Sequence, residues 1–226
     1  MERQTGNFEQ RPAPSGPPGR QTALSRYLAP LKPGRGILLW GRQLRPLAAA
    51  AAAWGAARGA PVLLVDAANL ADPYALVREA RTLGLAPREA LARVRVTRAF
   101  TCHQLVRLLQ EILPPFLSPG CLVLLLGPVS LFYDEQVPLP ERRRLFQELT
   151  QLLGRIKSQA ALLLLQPLLP KEANNRHFGK LLAPLLDYFV EMGSSVAGRG
   201  ESRRVPPFYL PPRTLKRRLV NGRIAT

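Results

Sequence analysis

Acidic residues are scarce in this chain: 15 Asp and Glu stand against 32 Lys and Arg over 226 residues, a net charge of +17. Charge of this sign selects polyanions as partners, either nucleic acid or an anionic membrane surface. Cysteine is nearly absent. Cys102 and Cys121 lie in apolar contexts with no partner at metal-ligand spacing, so they read as small buried hydrophobes of a reducing cytoplasm. Histidine is equally rare: His103 and His177 stand far apart with no carboxylate or Cys at ligand spacing. That excludes a metal site, and no Ser-His-Asp or Cys-His nucleophile can be assembled from these residues. Long hydrophobic runs are missing too. The longest Ala-rich stretch, Leu47 to Ala60, holds Trp54, Gly55 and Arg58 and is too short for a bilayer, so it is expected to be a buried helix. The polar start, Met1 to Gly6, has no apolar segment of a secretory signal. No membrane association and a cytoplasmic location are the expectation.

What is present divides unevenly. Residues 1–35 and 198–226 together carry +11 of the +17 charge. Residues 1–22 are rich in Pro, Gly, Gln and Arg without apolar periodicity, the composition of a disordered tail. Residues 23–226 are expected to form one core domain, since 46% hydrophobic content suffices to bury a core at this length. The competing source of the basicity is genome composition, because Arg far outnumbers Lys.

Within the core, short β-rich runs alternate with helical patterns. Gly36 to Trp40, Val62 to Asp66, Arg93 to Thr97, Cys121 to Leu126 and Ala161 to Leu165 read as strands, and the unbroken apolar ones suit parallel strands covered on both faces. Pro46 stands near the first turn of a helix. Asp72 and Pro73 form an N-cap and N1 pair for a helix to about Leu83, with Leu76, Val77 and Ala80 on one face. Thr101 caps a helix through Leu113, and a long helix runs from about Pro140 to Lys157. Asp187 to Met192 is expected to be an antiparallel edge strand, and strand-like pieces flank an Asn221-Gly222 turn. The alternation predicts an α/β fold with a mostly parallel central sheet flanked by helices and antiparallel C-terminal edge strands.

The first strand-to-helix turn is where a phosphate-binding loop, G-x-x-x-x-G-K-[ST], would stand. Such a loop wraps phosphates in backbone N–H groups, reaches them with Lys and holds magnesium with its hydroxyl. Here Gly41, Arg42 and Arg45 are followed by Pro46, Leu47 and Ala48 in the Gly, Lys and Ser/Thr places, so only the first glycine survives.

Read in order, the segments resemble the ATPase core of the RecA/RadA recombinase family, particularly its archaeal and eukaryotic branch and the short RadB- and KaiC-like relatives. Leu24 to Leu28 and Leu31 to Ile37 are similar to the family's approach to its P-loop strand. Val65-Asp66 with Asp72 to Leu76 is similar to its I-D-T-E…R-P-E-R-L. Leu83 to Leu85, Val94 to Phe100 and His103-Gln104 are similar to its G-L…V-x-x-A-R-A-F-N-x-D-H-Q, the most specific match. Leu131 to Tyr133, Pro140 to Arg143 and Gln166 fall where the family has A-L-[FY]-R, E-L-x-x-R-Q and a strand-ending N-Q. The resemblance implies a RecA-like P-loop NTPase fold. It also implies that Ala68 replaces the carboxylate that polarises the attacking water, and Gly127 the metal-proximal aspartate. With Leu47 in the lysine place, three phosphate-chemistry groups are missing, so no nucleotide cofactor is expected. Arg42 and Arg45 are the groups left to approach a phosphate.

Gln166 corresponds to the family's γ-phosphate sensor, against the plainer reading of a polar strand end. Candidate DNA contacts are Arg142, Arg143 and Arg144 at the start of the long helix, Lys171, Arg176 and Lys180 around the loop after Gln166, and Arg203, Arg204, Lys216, Arg217 and Arg218 in the tail. Solvated helix faces and guarded edge strands are the competing accounts of these charges. The family's F-x-x-A docking peptide has no match, since Phe8-Glu9-Gln10-Arg11 lacks the alanine. The expectation is a catalytically inactive accessory protein of recombination or repair. Its partners would be DNA, single-stranded by expectation, and an active recombinase or repair polymerase. A divergent DNA-dependent ATPase and a scaffold with no nucleic-acid role are the alternatives.

Overall fold

A computed structural model describes residues 28–169, 178–192, 219–220 and 223–224. Six strands form one sheet: β1 (Gly36–Gly41), β2 (Val62–Asp66), β3 (Val94–Arg98), β4 (Leu122–Leu126), β5 (Ala161–Pro167) and β6 (Tyr188–Met192), in the order β3-β2-β4-β5-β1-β6, all parallel. The helices are α1 (Leu44–Ala57), α2 (Pro73–Thr82), α3 (Pro87–Arg93), α4 (Cys102–Arg107), α5 (Leu139–Gln159) and the short α6 (Phe178–Leu181). A π-helical turn, Leu108–Ile112, extends α4. The segment α3 was not evident in the sequence.

Because side chains alternate across a strand, each apolar run feeds two cores. Ile37 and Leu39 of β1 join Leu64, Leu124 and Leu163 beneath α1, α2 and α3. Leu38 and Trp40 join Val65, Leu125 and Leu164 beneath α4 and α5. The Ala-rich run, as expected, is a helix lying on the sheet. Its small side chains permit close approach: a Cβ at Gly55 would stand 2.9 Å from both Leu122 Cδ2 and Val62 Cγ2. On α5, Leu145, Phe146, Leu149, Leu152, Leu153 and Ile156 form the buried stripe, and the rings of Phe132, Phe146 and Phe178 cluster beneath it.

The edge-strand expectation needs correction. Tyr188–Met192 runs parallel to β1, with Ile37 opposite Tyr188, not antiparallel. After β5 the chain crosses the second face, where Phe178, Leu182 and Leu186 join the core, and so returns to the end of the sheet from which β5 began. Asp187 then fastens the entry: its carboxylate accepts from the Gly36 N–H at 2.8 Å, Arg35 at 2.7 Å and Lys157 at 2.9 Å. An antiparallel pair does exist at the C-terminus, where β7 (Leu219–Val220) pairs with β8 (Arg223–Ile224) in a separate two-stranded ladder.

Among the described residues no helix is long and apolar enough to cross a membrane.

Candidate functional site at the carboxyl end of the sheet

The chain leaves β1 and β2 through helices on one face and β4 and β5 through helices on the other. Neighbouring strands β1 and β5, and likewise β2 and β4, therefore send their crossovers in opposite directions. In open parallel sheets ligands bind in the crevice outside the carboxyl ends at such a switch point. The residues that line this end are Gly41 to Arg45, Asp66 to Ala71, Gly127 to Ser130 and Gln166.

The β1–α1 turn is shorter than a phosphate loop. Only Arg42 and Gln43 separate β1 from α1, so Pro46, Leu47 and Ala48 lie inside the helix rather than on a loop. Its backbone is committed elsewhere. The Arg42 N–H donates to Met192 O at 3.2 Å, and Gly41 O accepts from the Leu168 N–H at 3.2 Å. Gly41 has φ 132°, and a Cβ there would run into the Met192 carbonyl. Its glycine is thus required by the close approach of β6, without any phosphate. Gln43 turns the chain into α1 through a left-handed conformation with φ 56°. The Arg45 guanidinium donates to Asn69 O at 2.7 Å, while Arg42 is exposed and makes no side-chain hydrogen bond or ion pair among the described residues.

Ala68 and Gly127, the two positions that the resemblance pairs with carboxylates, lie close together. Gly127 has φ +73°, and a Cβ placed on it would stand 2.5 Å from Ala68 Cβ and 2.8 Å from Ser130 Oγ. A carboxylate side chain at position 127 would therefore have to displace Ala68. Between them Asp66, fully buried, holds the loop: its carboxylate accepts N–H donors from Ala68 at 3.2 Å, Leu70 at 3.0 Å and Ala71 at 3.0 Å, and pairs with Arg98 at 3.3 Å. Four donors on one carboxylate make it an organiser of the loop.

Gln166 is also engaged. Its Oε1 accepts from the Val129 N–H at 3.0 Å, and its Nε2 donates to Pro167 O at 2.8 Å and Ser130 Oγ at 3.3 Å. It staples the β4 exit to the β5 exit, which agrees with the plainer reading of a strand-end polar residue.

The three arginines of α5 separate. Arg142 is only 7% exposed and its Nη1 donates to Phe132 O at 3.2 Å, while its Nε has no partner among the described residues. It is corrected from a candidate phosphate contact to a core-facing residue. Helical spacing puts it one turn before Leu145 and Phe146, on the buried stripe. Arg143 is exposed, and Arg144 is exposed and pairs with Glu148 at 3.6 Å. Lys180 falls on α6. Lys171, Arg176, His177, Arg203, Arg204, Lys216, Arg217 and Arg218, with the 1–22 tail and the Phe8 segment, lie outside the described residues.

Folding brings His103 a carboxylate partner that its sequence neighbourhood lacked, and its neighbour Cys102 stands on the other side of the ring. Its Nε2 lies 2.8 Å from Glu141 Oε1, and its Nδ1 lies 3.7 Å from Cys102 Sγ. The trio has the outline of a nucleophile, base and orienting carboxylate. Its thiol is a poor nucleophile, because Cys102 is buried and burial pushes its pKa up, which disfavours the reactive thiolate. No group of three His, Cys, Asp or Glu that could hold a metal occurs among the described residues.

Sequence reasoning passed over two side chains at this end, Tyr74 and Phe100, which are 83% and 70% exposed. The signal was present for Tyr74, which sits beside the Asp72-Pro73 cap and off the Leu76-Ala80 stripe. No family model matches this chain, and no curated protein matches it.

Proposed function

We propose that the chain is a catalytically silent, RecA-like accessory protein of DNA recombination or repair. It binds DNA through basic surfaces and contacts an active recombinase or a repair polymerase without turning over ATP. The observation that supports the silent reading is the close approach of Ala68 to Gly127, where a Cβ on Gly127 would stand 2.5 Å from Ala68 Cβ, so position 127 takes a carboxylate side chain only if Ala68 moves. The two-residue β1–α1 turn adds to it, because its first N–H is already bound to β6. DNA is favoured as the polyanion by the +17 charge together with exposed arginines at the crevice mouth and along α5.

Isothermal titration with ATP and magnesium tests the first half: no saturable heat is expected, and micromolar binding overturns the silent reading. A divergent ATPase is the second reading, favoured by exposed Arg42, which has no side-chain partner among the described residues, and the same titration separates the two. Fluorescence anisotropy with single-stranded DNA across a salt series tests the second half. Affinity is expected to fall steeply with salt, and absence of binding at low salt removes DNA.

A further inference from the structure

The two most exposed large apolar side chains among the described residues stand at the same end of the sheet. Tyr74 opens α2, where the Asp72 carboxylate accepts from the Tyr74 and Ala75 N–H groups at 3.0 Å each. Phe100 lies between β3 and α4, where its N–H donates to Gln104 Oε1 at 2.8 Å and Thr101 caps the helix. Both backbones are therefore held by hydrogen bonds while both rings face solvent. Neither ring stacks on another aromatic among the described residues, unlike Phe132, Phe146 and Phe178.

Asp66 joins the two segments. Asp66 of β2 pairs in register with Arg98 of β3, and the Ala99 N–H donates to Asp66 O at 3.0 Å, which places Phe100 directly after the joined pair. From the other side the Ala71 N–H donates to the Asp66 carboxylate, which places Tyr74 three residues further on. Arg98, 39% exposed at its side chain, pairs with the Asp66 carboxylate at 3.3 Å, and exposed Arg45 reaches the β2 exit through Asn69 O at 2.7 Å, while exposed Arg42 follows β1, with β4 and β5 between it and β2. Of the two acids near these segments, Asp66 is fully buried and paired with Arg98, and half-buried Asp72 is engaged in capping α2 through the Tyr74 and Ala75 N–H groups.

Rigidly anchored, solvent-facing rings interleaved with arginines are what a sequence-tolerant single-strand site needs: bases stack on the rings and phosphates meet the guanidinium groups. The geometry points to the β2–β3 carboxyl rim, Tyr74, Arg98 and Phe100 with Arg45, as a binding face for single-stranded nucleic acid that reads bases by stacking. This inference rests on the proposed DNA binding, and it adds where the bases go. The α5 arginines offer charge alone, so they hold backbone without stacking. A protein partner would favour a contiguous apolar patch over two rings set among cations.

The test uses the full-length protein, a fluorescein-labelled oligothymidine of about 20 nucleotides, and an abasic strand of equal length, chosen because a single OB-type site spans fewer than that. Wild type is expected to bind the thymidine strand about tenfold or more tighter than the abasic one, the order expected from stacking. Tyr74→Ala with Phe100→Ala should erase that ratio while leaving abasic binding and the salt slope unchanged. Arg143→Ala with Arg144→Ala should weaken both strands and keep the ratio. Both double variants change exposed residues, and circular dichroism melts confirm folding. A Tyr74/Phe100 variant that keeps the thymidine-to-abasic ratio overturns this inference and leaves DNA binding standing. Wild type that binds neither strand at low salt overturns the proposed DNA binding itself, and the rings then belong to a protein interface.

Discussion

Replacing Gly127 with alanine is the most direct probe of the closed crevice. The position has φ +73°, where an L-residue costs about 1–2 kcal/mol relative to its preferred conformations. The added methyl would also meet Ala68 Cβ at 2.5 Å and Ser130 Oγ at 2.8 Å, both well inside van der Waals contact, and both neighbours sit on short turns with little room to retreat. Overpacking of this kind costs about 1–3 kcal/mol. Displacing Ser130 disturbs its hydrogen bond from Gln166 as well. The expected loss is about 2–5 kcal/mol, which at this chain length lowers the melting temperature by roughly 5–15 °C. Urea unfolding followed by circular dichroism measures it as a shift in midpoint at constant slope. The steric component can be isolated by adding Ala68→Gly, which removes the nearest atom. The double variant should recover about 1 kcal/mol or more over additivity. Gly127→Ala within about 0.5 kcal/mol of wild type, or additive behaviour with Ala68→Gly, refutes the claim that these two positions occupy each other's space.

Arg142→Met should be neutral, or stabilising by up to about 2 kcal/mol, because it replaces a buried cation with no acidic partner among the described residues by an apolar side chain of similar length; its DNA affinity should equal wild type, and a loss matching that of Arg143→Ala would return Arg142 to the surface. Asp187→Asn should cost about 1–3 kcal/mol near neutral pH, since it weakens charge-assisted bonds to Lys157, Arg35 and the Gly36 N–H. Burial raises the Asp187 pKa, but the bonds from Gly36, Lys157 and Arg35 outweigh it and the net direction is down. A depressed carboxyl contributes stability that is present above its unfolded value of about 4 and is lost as pH falls through the folded one. The wild-type advantage over Asp187→Asn should therefore hold from neutral pH to mildly acidic conditions and close in stronger acid; a difference independent of pH between about 7 and 2 refutes the linkage.

Much of the framework was legible because its causes are local. Val62–Asp66 is a strand whose five residues are all buried, and an unbroken apolar run announces that without knowledge of its neighbours. Asp72 and Pro73 cap α2 through bonds spanning two or three residues, so a short window contains the whole interaction. Thr101 caps α4 in the same way. That Leu stands at position 47 is likewise settled by the sequence alone.

The outcomes that sequence left open depend on partners distant along the chain. Parallel pairing of β6 follows from the face on which Phe178 to Leu186 crosses, which no local pattern in Asp187 to Met192 records. His103 meets Glu141, 38 positions away, and Gln166 reaches Val129 across 37. The turn after β1 closes because Met192 supplies an acceptor, and Gly127 must be glycine because Ala68 stands in its way. Local periodicity determined which segments are strands and helices. Only tertiary packing decided that Ala68 stands against Gly127 and Met192 against Gly41, because close contact between distant segments is settled by where the sheet brings its strand ends together.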